Sequence, residues 1–149
     1  MSNNMKYGAL IIERSEFDIL KELLALSRHY KDEIYKASVS KLQEQMLTAK
    51  ILKSDKIPED NIRLNSTVTI KSEFDVERTY KIVTPDNADL RDQKVSILAP
   101  LGLALFGHAE GDEIRWKFPV GERIIKIVKV IQQPILKNKR YDKQYSGAS

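Results

Sequence analysis

The sequence predicts an α+β protein, a short antiparallel helical hairpin followed by an antiparallel β half-barrel carrying one short helix. Three observations carry this. Apolar residues recur at steps of three and four before Pro58 and alternate with polar ones after it. The alternating segments are separated by turn sequences rich in Pro, Gly and Asn. With 149 residues, 42% apolar and 31% charged, the chain can bury a core of its own.

The first helix is expected from about Glu16 to Arg28. Ser15 is a suitable N-cap, Glu16 and Asp18 supply early negative charge, and Phe17, Leu20 and Leu24 form a stripe widened by Ile19, Leu23 and Leu26. A polar interruption, Ser27 to Glu33, precedes a second stripe of Tyr35, Val39, Leu42, Met46 and Ala49. This second helix is expected to reach about Lys53, before Pro58 disfavours helix. Two stripes joined by a short polar link make a hairpin, and neither helix is long enough to be stable alone.

Beyond Pro58 the alternation starts at Ile62 and continues through Leu64, Val68 and Ile70. Glu77 to Val83 reads as its partner strand, Pro85-Asp86-Asn87 as a turn, and Lys94 to Leu98 as a third strand. Pro100 then opens a short helix over Leu101–Phe106, with Gly107 at its end. Glu113 to Phe118 and Arg123 to Ile131 complete five strands, joined by Pro119-Val120-Gly121. The expected division is 1–58 hairpin, 59–133 half-barrel and 134–149 basic tail.

The net charge of +4 is unevenly spread. Residues 59–133 carry 11 Lys/Arg against 12 Asp/Glu, while residues 134–149 carry 4 against 1. The near-neutral body argues against a dedicated nucleic-acid binder, leaving weak nucleic-acid contact through the basic tail. No apolar run reaches membrane-spanning length, and Ala9–Ile12 is too short for a signal-peptide core. We expect a soluble, cytoplasmic monomer.

Catalytic chemistry is not evident. Cysteine is absent, no Gly-rich phosphate loop is present, and the two histidines, His29 and His108, lie in turns where surface positions are expected. No metal site and no cofactor are expected, and the protein is not expected to be an enzyme. Asp32-Glu33 is the one acidic pair placed at a tip where it could hold Mg²⁺; the simpler reading is that Asp32 caps the second helix and Glu33 complements its dipole. Trp116 lies on the apolar register of Ile114 and Phe118, which favours core packing over a pocket floor.

The segment Ser-Ile-Leu-Ala-Pro-Leu-Gly-Leu-Ala-Leu-Phe-Gly at 96–107, followed by Glu110-Gly111-Asp112-Glu113, resembles the signature of the GreA/GreB/Rnk family. Leu64-Asn65-Ser66-Thr67-Val68-Thr69-Ile70, Pro85-Asp86-Asn87-Ala88-Asp89 and Pro119-Val120-Gly121 fit the same pattern, in order, over about residues 60–131. The resemblance implies an FKBP-like fold without isomerase activity. It also implies docking on RNA polymerase at the secondary channel, on the rim helices of the largest subunit, with Leu98, Ala99, Pro100 and Leu101 at the contact.

The hairpin departs from the family's cleavage factors. Their long coiled coil carries tip carboxylates separated by two residues, whereas Asp32 and Glu33 are adjacent. A first helix of about 13 residues spans only roughly 20 Å. The short arm is more similar to Rnk. The resemblance therefore implies a polymerase-binding elongation regulator that does not stimulate transcript cleavage. The alternatives are a cleavage-stimulating factor acting through Asp32 and Glu33 and, more remotely, an FKBP-like isomerase or peptide-binding module.

Overall fold

The computed structural model describes residues 5–27 and 31–133. His29 and the basic tail 134–149 lie outside the described residues. Strand β1 (Ile11–Glu13) leads directly into α1 (Arg14–Leu26), and α2 (Glu33–Met46) follows. Strand β2 (Lys50–Leu52) then runs parallel to β1, pairing Ile11 with Lys50 and Glu13 with Leu52.

The second sheet contains β3 (Thr67–Ser72), β4 (Glu77–Val83), β5 (Lys94–Ser96), β6 (Glu113–Phe118) and β7 (Gly121–Ile131), in the order β5-β4-β3-β7-β6. Pairings within β3–β4, β3–β7 and β6–β7 are antiparallel, while β5 joins β4 in parallel. The short helix α3 (Pro100–Leu105) connects β5 to β6. Five strands and one short helix match the expected half-barrel, but the sheet is mixed rather than antiparallel, because residues 84–93 carry the chain back so that β5 runs alongside β4 in the same direction.

The hairpin and the sheet share one hydrophobic core. Leu20 and Leu24 of α1 and Val39, Leu42 and Met46 of α2 belong to the same buried cluster as Leu103, Ile114 and Trp116. Helices of 13 and 14 residues are too short to hold themselves in water, so this shared burial is what stabilises them.

Several boundaries differ from expectation for local reasons. Helix α1 starts at Arg14 because β1 runs straight into it; the Glu13 carboxylate, not Ser15, caps it by accepting from Glu16 N–H at 3.0 Å. Helix α2 stops at Met46 because the chain must extend to pair with β1, with Lys50 N–H donating to the Leu10 carbonyl at 2.8 Å. Ile62 and Leu64 precede the third strand rather than belonging to it. Asn65 turns the chain at φ +73, and the Ser66 hydroxyl accepts from Arg63 N–H at 2.8 Å.

Helix α3 sits against β5 because position 102 has no side chain. A Cβ at Gly102 would lie 2.1 Å from the Ser96 carbonyl oxygen and 2.8 Å from Ile97 Cα. The Leu-Gly-Leu-Ala-Leu sequence thereby brings Leu103 and Leu105 to full burial beneath the Ala99-Pro100 turn.

His108 is the clearest correction to the sequence reading. It is not a surface residue but 1% exposed, with Nδ1 3.0 Å from the Asp112 carboxylate. Asp112 also accepts from the backbone N–H groups of Ala109 at 3.0 Å and Lys6 at 2.6 Å. Gly107, at φ +85, turns the chain after α3 and carries the imidazole inward. Burial pushes the Asp112 carboxyl up, but the hydrogen bonds from His108, Ala109 and Lys6 outweigh it and hold it below the usual aspartate range.

Candidate functional site

The loop from β5 into α3 carries the four expected contact residues. Leu98, Ala99, Pro100 and Leu101 are all half-buried, so each presents part of its surface. Leu98 and Leu101 also lean on the core. Ala99 holds the N-cap position of α3 without a side-chain cap, and Pro100 occupies the first helical turn. The loop is braced from below, since the Ser96 hydroxyl accepts from Leu98 N–H at 3.0 Å.

The acidic pair lies at the start of α2. Asp32 caps this helix, accepting from Ile34 N–H at 2.9 Å and Tyr35 N–H at 3.4 Å. Glu33 is the first helical residue, exposed, with a carboxylate 3.6 Å from Lys36 Nζ. Among the described residues, no group of three or more His, Asp or Glu is placed to hold a metal ion.

The fold brings these two candidate regions together. The Tyr35 hydroxyl donates to the Leu98 carbonyl at 2.6 Å, tying the first turn of α2 to the β5–α3 loop. Asp32 is only three residues before Tyr35, so the described start of α2 rises about one helical turn, roughly 5 Å, beyond the contact. The hairpin does not stand clear of the half-barrel at this helix; it lies along it.

Further contacts fix α2 along its length. The Ser38 hydroxyl accepts from the Trp116 indole N–H at 3.2 Å and donates to the Lys117 carbonyl at 3.4 Å. Lys41 Nζ donates to the Arg115 carbonyl at 3.0 Å and stands 4.4 Å from the centre of the Trp116 ring. Burial lowers the Lys41 ammonium from its ordinary range, partly offset by Glu122. Trp116 is 1% exposed and closed over by α2, so it forms no open pocket floor.

A separate groove of about 1140 Å³ opens on the other side of the hairpin base. Ile57, Pro58, Leu64 and Ile131 line it together with Glu16 and Arg63, and none of its described lining residues is aromatic. Burial raises the Glu16 carboxyl, against the pull of Leu64 N–H at 3.2 Å and the Arg63 guanidinium at 3.7 Å.

The sequence places Tyr35 on an apolar stripe and gives no sign of a role for Ser38. The available signal was chemical: a tyrosine on a core-facing stripe must find a partner for its hydroxyl. Which partner it finds depends on the tertiary fold.

Comparison with known proteins agrees with this architecture. The family described as transcription elongation factor, GreA/GreB, C-term, matches residues 57–132. Transcription elongation factor GreA of Hyphomonas neptunium is 32% identical over 120 residues, covering 80% of this chain and 71% of that protein. GreA of Syntrophotalea carbinolica is 32% identical over 119 residues, covering 79% and 70% respectively. The solved GreA/GreB structure from Nitrosomonas europaea superposes with a TM-score of 0.64 at 30% identity, covering 83% of this chain and 98% of that one. The chain belongs to the GreA/GreB family of transcription elongation factors.

Proposed function

We propose that this protein is a non-enzymatic elongation regulator in the cytoplasm. It binds RNA polymerase at the rim of the secondary channel through its C-terminal half-barrel and does not stimulate transcript cleavage. Family membership supports the partner. The observation that carries the finer reading is the tie between Tyr35 and Leu98, at 2.6 Å. It keeps the acid-bearing start of α2 within about one turn of the docking loop, whereas a cleavage factor must send its carboxylates deep into the enzyme.

The docking contact is assigned to Leu98, Ala99, Pro100 and Leu101, with Ala99 and Pro100 contributing most. Half-buried apolar anchors within a polar rim can carry much of the energy of a small interface. Pro100→Glu tests this. An acid in the first turn of a helix is compatible with the helix dipole, so α3 should survive. The variant should remain folded by circular dichroism and lose binding to RNA polymerase core enzyme. Retained affinity in a folded variant would remove Pro100 from the interface.

A second reading keeps cleavage stimulation through Asp32 and Glu33. It is favoured by their exposure and by Glu33 pairing, among the described residues, only with Lys36 of its own helix. An isomerase reading finds less support, because Trp116 is covered by α2.

A further inference from the structure

The near-neutral charge of the half-barrel conceals a separation of signs. Of the 11 Lys/Arg in residues 59–133, nine lie on the five strands, while nine of the 12 Asp/Glu lie in turns and loops. Strand alternation then sends most of these cations to one face. Val68, Ile70, Ile82, Ile114, Ile125 and Ile127 are buried against the helices, so the intervening positions face outward.

On that outer face, Lys81, Lys117, Lys126 and Lys129 form no ion pair among the described residues. Lys71 and Lys94 are paired with loop carboxylates, Asp75 at 2.8 Å and Asp92 at 3.4 Å. The three strand acids, Glu77, Glu113 and Glu122, cluster toward the opposite end in register with Lys71, Lys126 and Lys117. Beyond them the strand positions themselves carry no acid, and the one carboxylate alongside, Glu110, is held at the edge of β7 by accepting from Val130 N–H at 3.0 Å. Thr67 stands between Lys81 and Ile131, and Thr69 between Thr79 and Lys129.

We infer that this outer sheet face is a docking surface for the sugar–phosphate backbone of duplex nucleic acid. Unpaired ammonium groups and threonine hydroxyls are donors suited to phosphate oxygens. Adjacent strands stand about 4.8 Å apart and Lys129 is displaced from Lys81 by two residues along the strands, so their Cα atoms lie about 12 Å apart and the two long side chains can reach separate phosphates of one duplex. The outward positions of the five strands hold no aromatic residue on which an unpaired base could stack. That absence favours a duplex over a single strand and predicts binding without sequence preference. The face is the opposite side of the sheet from α3, so the inference does not depend on polymerase docking through the β5–α3 loop.

The test is fluorescence anisotropy with a labelled 20-base-pair DNA of arbitrary sequence, titrated with the full chain at several salt concentrations and without polymerase. Four phosphate contacts give a log–log salt slope of about −3.6, or roughly 150-fold weaker binding from 50 to 200 mM salt. Replacing Lys81, Lys126 and Lys129 with Gln should make the slope shallower by about 2.7. Replacing the same three with Arg should preserve it, which separates loss of charge from loss of fold. The inference is overturned if the wild-type chain fails to bind at 50 mM salt, or if the Gln variant keeps its slope. It is also overturned if polyglutamate of matched charge displaces the duplex equally well, since the face would then suit an acidic protein surface instead.

Discussion

Gly102→Ala is the most direct test of how the β5–α3 loop is held. The added methyl carbon would stand 2.1 Å from the Ser96 carbonyl oxygen, 2.8 Å from Ile97 Cα and 2.9 Å from Ile97 C. All three atoms are backbone, so no side chain can swing aside. Ordinary contact needs about 1 Å more, and α3 must retreat from β5 by that amount. The retreat would disturb Leu103, Ala104, Leu105 and Phe106, which are 0–1% exposed. Overpacking of this kind costs about 3 kcal/mol. In a protein of this size that lowers Tm by roughly 10 °C. Ala is otherwise a better helix former than Gly, so propensity acts in the opposite direction and cannot explain a loss. Urea unfolding followed by Trp116 fluorescence gives the free energy. A change below about 1 kcal/mol would show that α3 can shift freely and that the close approach does not fix the loop.

The Asp112 carboxyl is held below its ordinary range in the folded chain, so it adds stability above the unfolded-state value near pH 4 and that contribution fades as pH falls through the folded value. Asp112→Asn should cost about 2 kcal/mol at pH 7, with the difference from wild type shrinking on acidification in equilibrium unfolding; a pH-independent difference would contradict this assignment. Asp32→Ala should remove the cap of α2 at a cost of about 1 kcal/mol, whereas Asp32→Asn should cost only a few tenths, read as denaturation midpoints; equal losses would show that charge, not capping, is what matters there.

The parts of the fold legible in sequence were those set by local period and punctuation. Strand β6 occupies the expected Glu113–Phe118, and α3 begins at Pro100 as its proline requires. The apolar stripes of both hairpin helices reach the core at Leu20, Leu24, Val39 and Leu42. What escaped depends on partners that only the tertiary fold brings together. Strands β1 and β2 are three residues each and exist through their pairing with one another across the hairpin. His108 read as a turn histidine because its partner, Asp112, looked like part of an ordinary Gly-Asp turn. The candidate site was legible as two separate features, an acidic pair and a Pro-containing loop. Their convergence was not, because it rests on one tyrosine hydroxyl reaching 63 residues along the chain.

The central claim, that this short-armed family member docks without stimulating cleavage, is tested most directly with RNA polymerase complexes stalled in a backtracked state. Transcript cleavage is measured with this protein alone and in titration against an active cleavage factor. The account predicts no cleavage by this protein and dose-dependent suppression of the factor's cleavage, with suppression lost in Pro100→Glu. Cleavage by this protein alone, abolished in Asp32→Ala or Glu33→Ala variants that still bind, would contradict it and make the start of α2 the functional site.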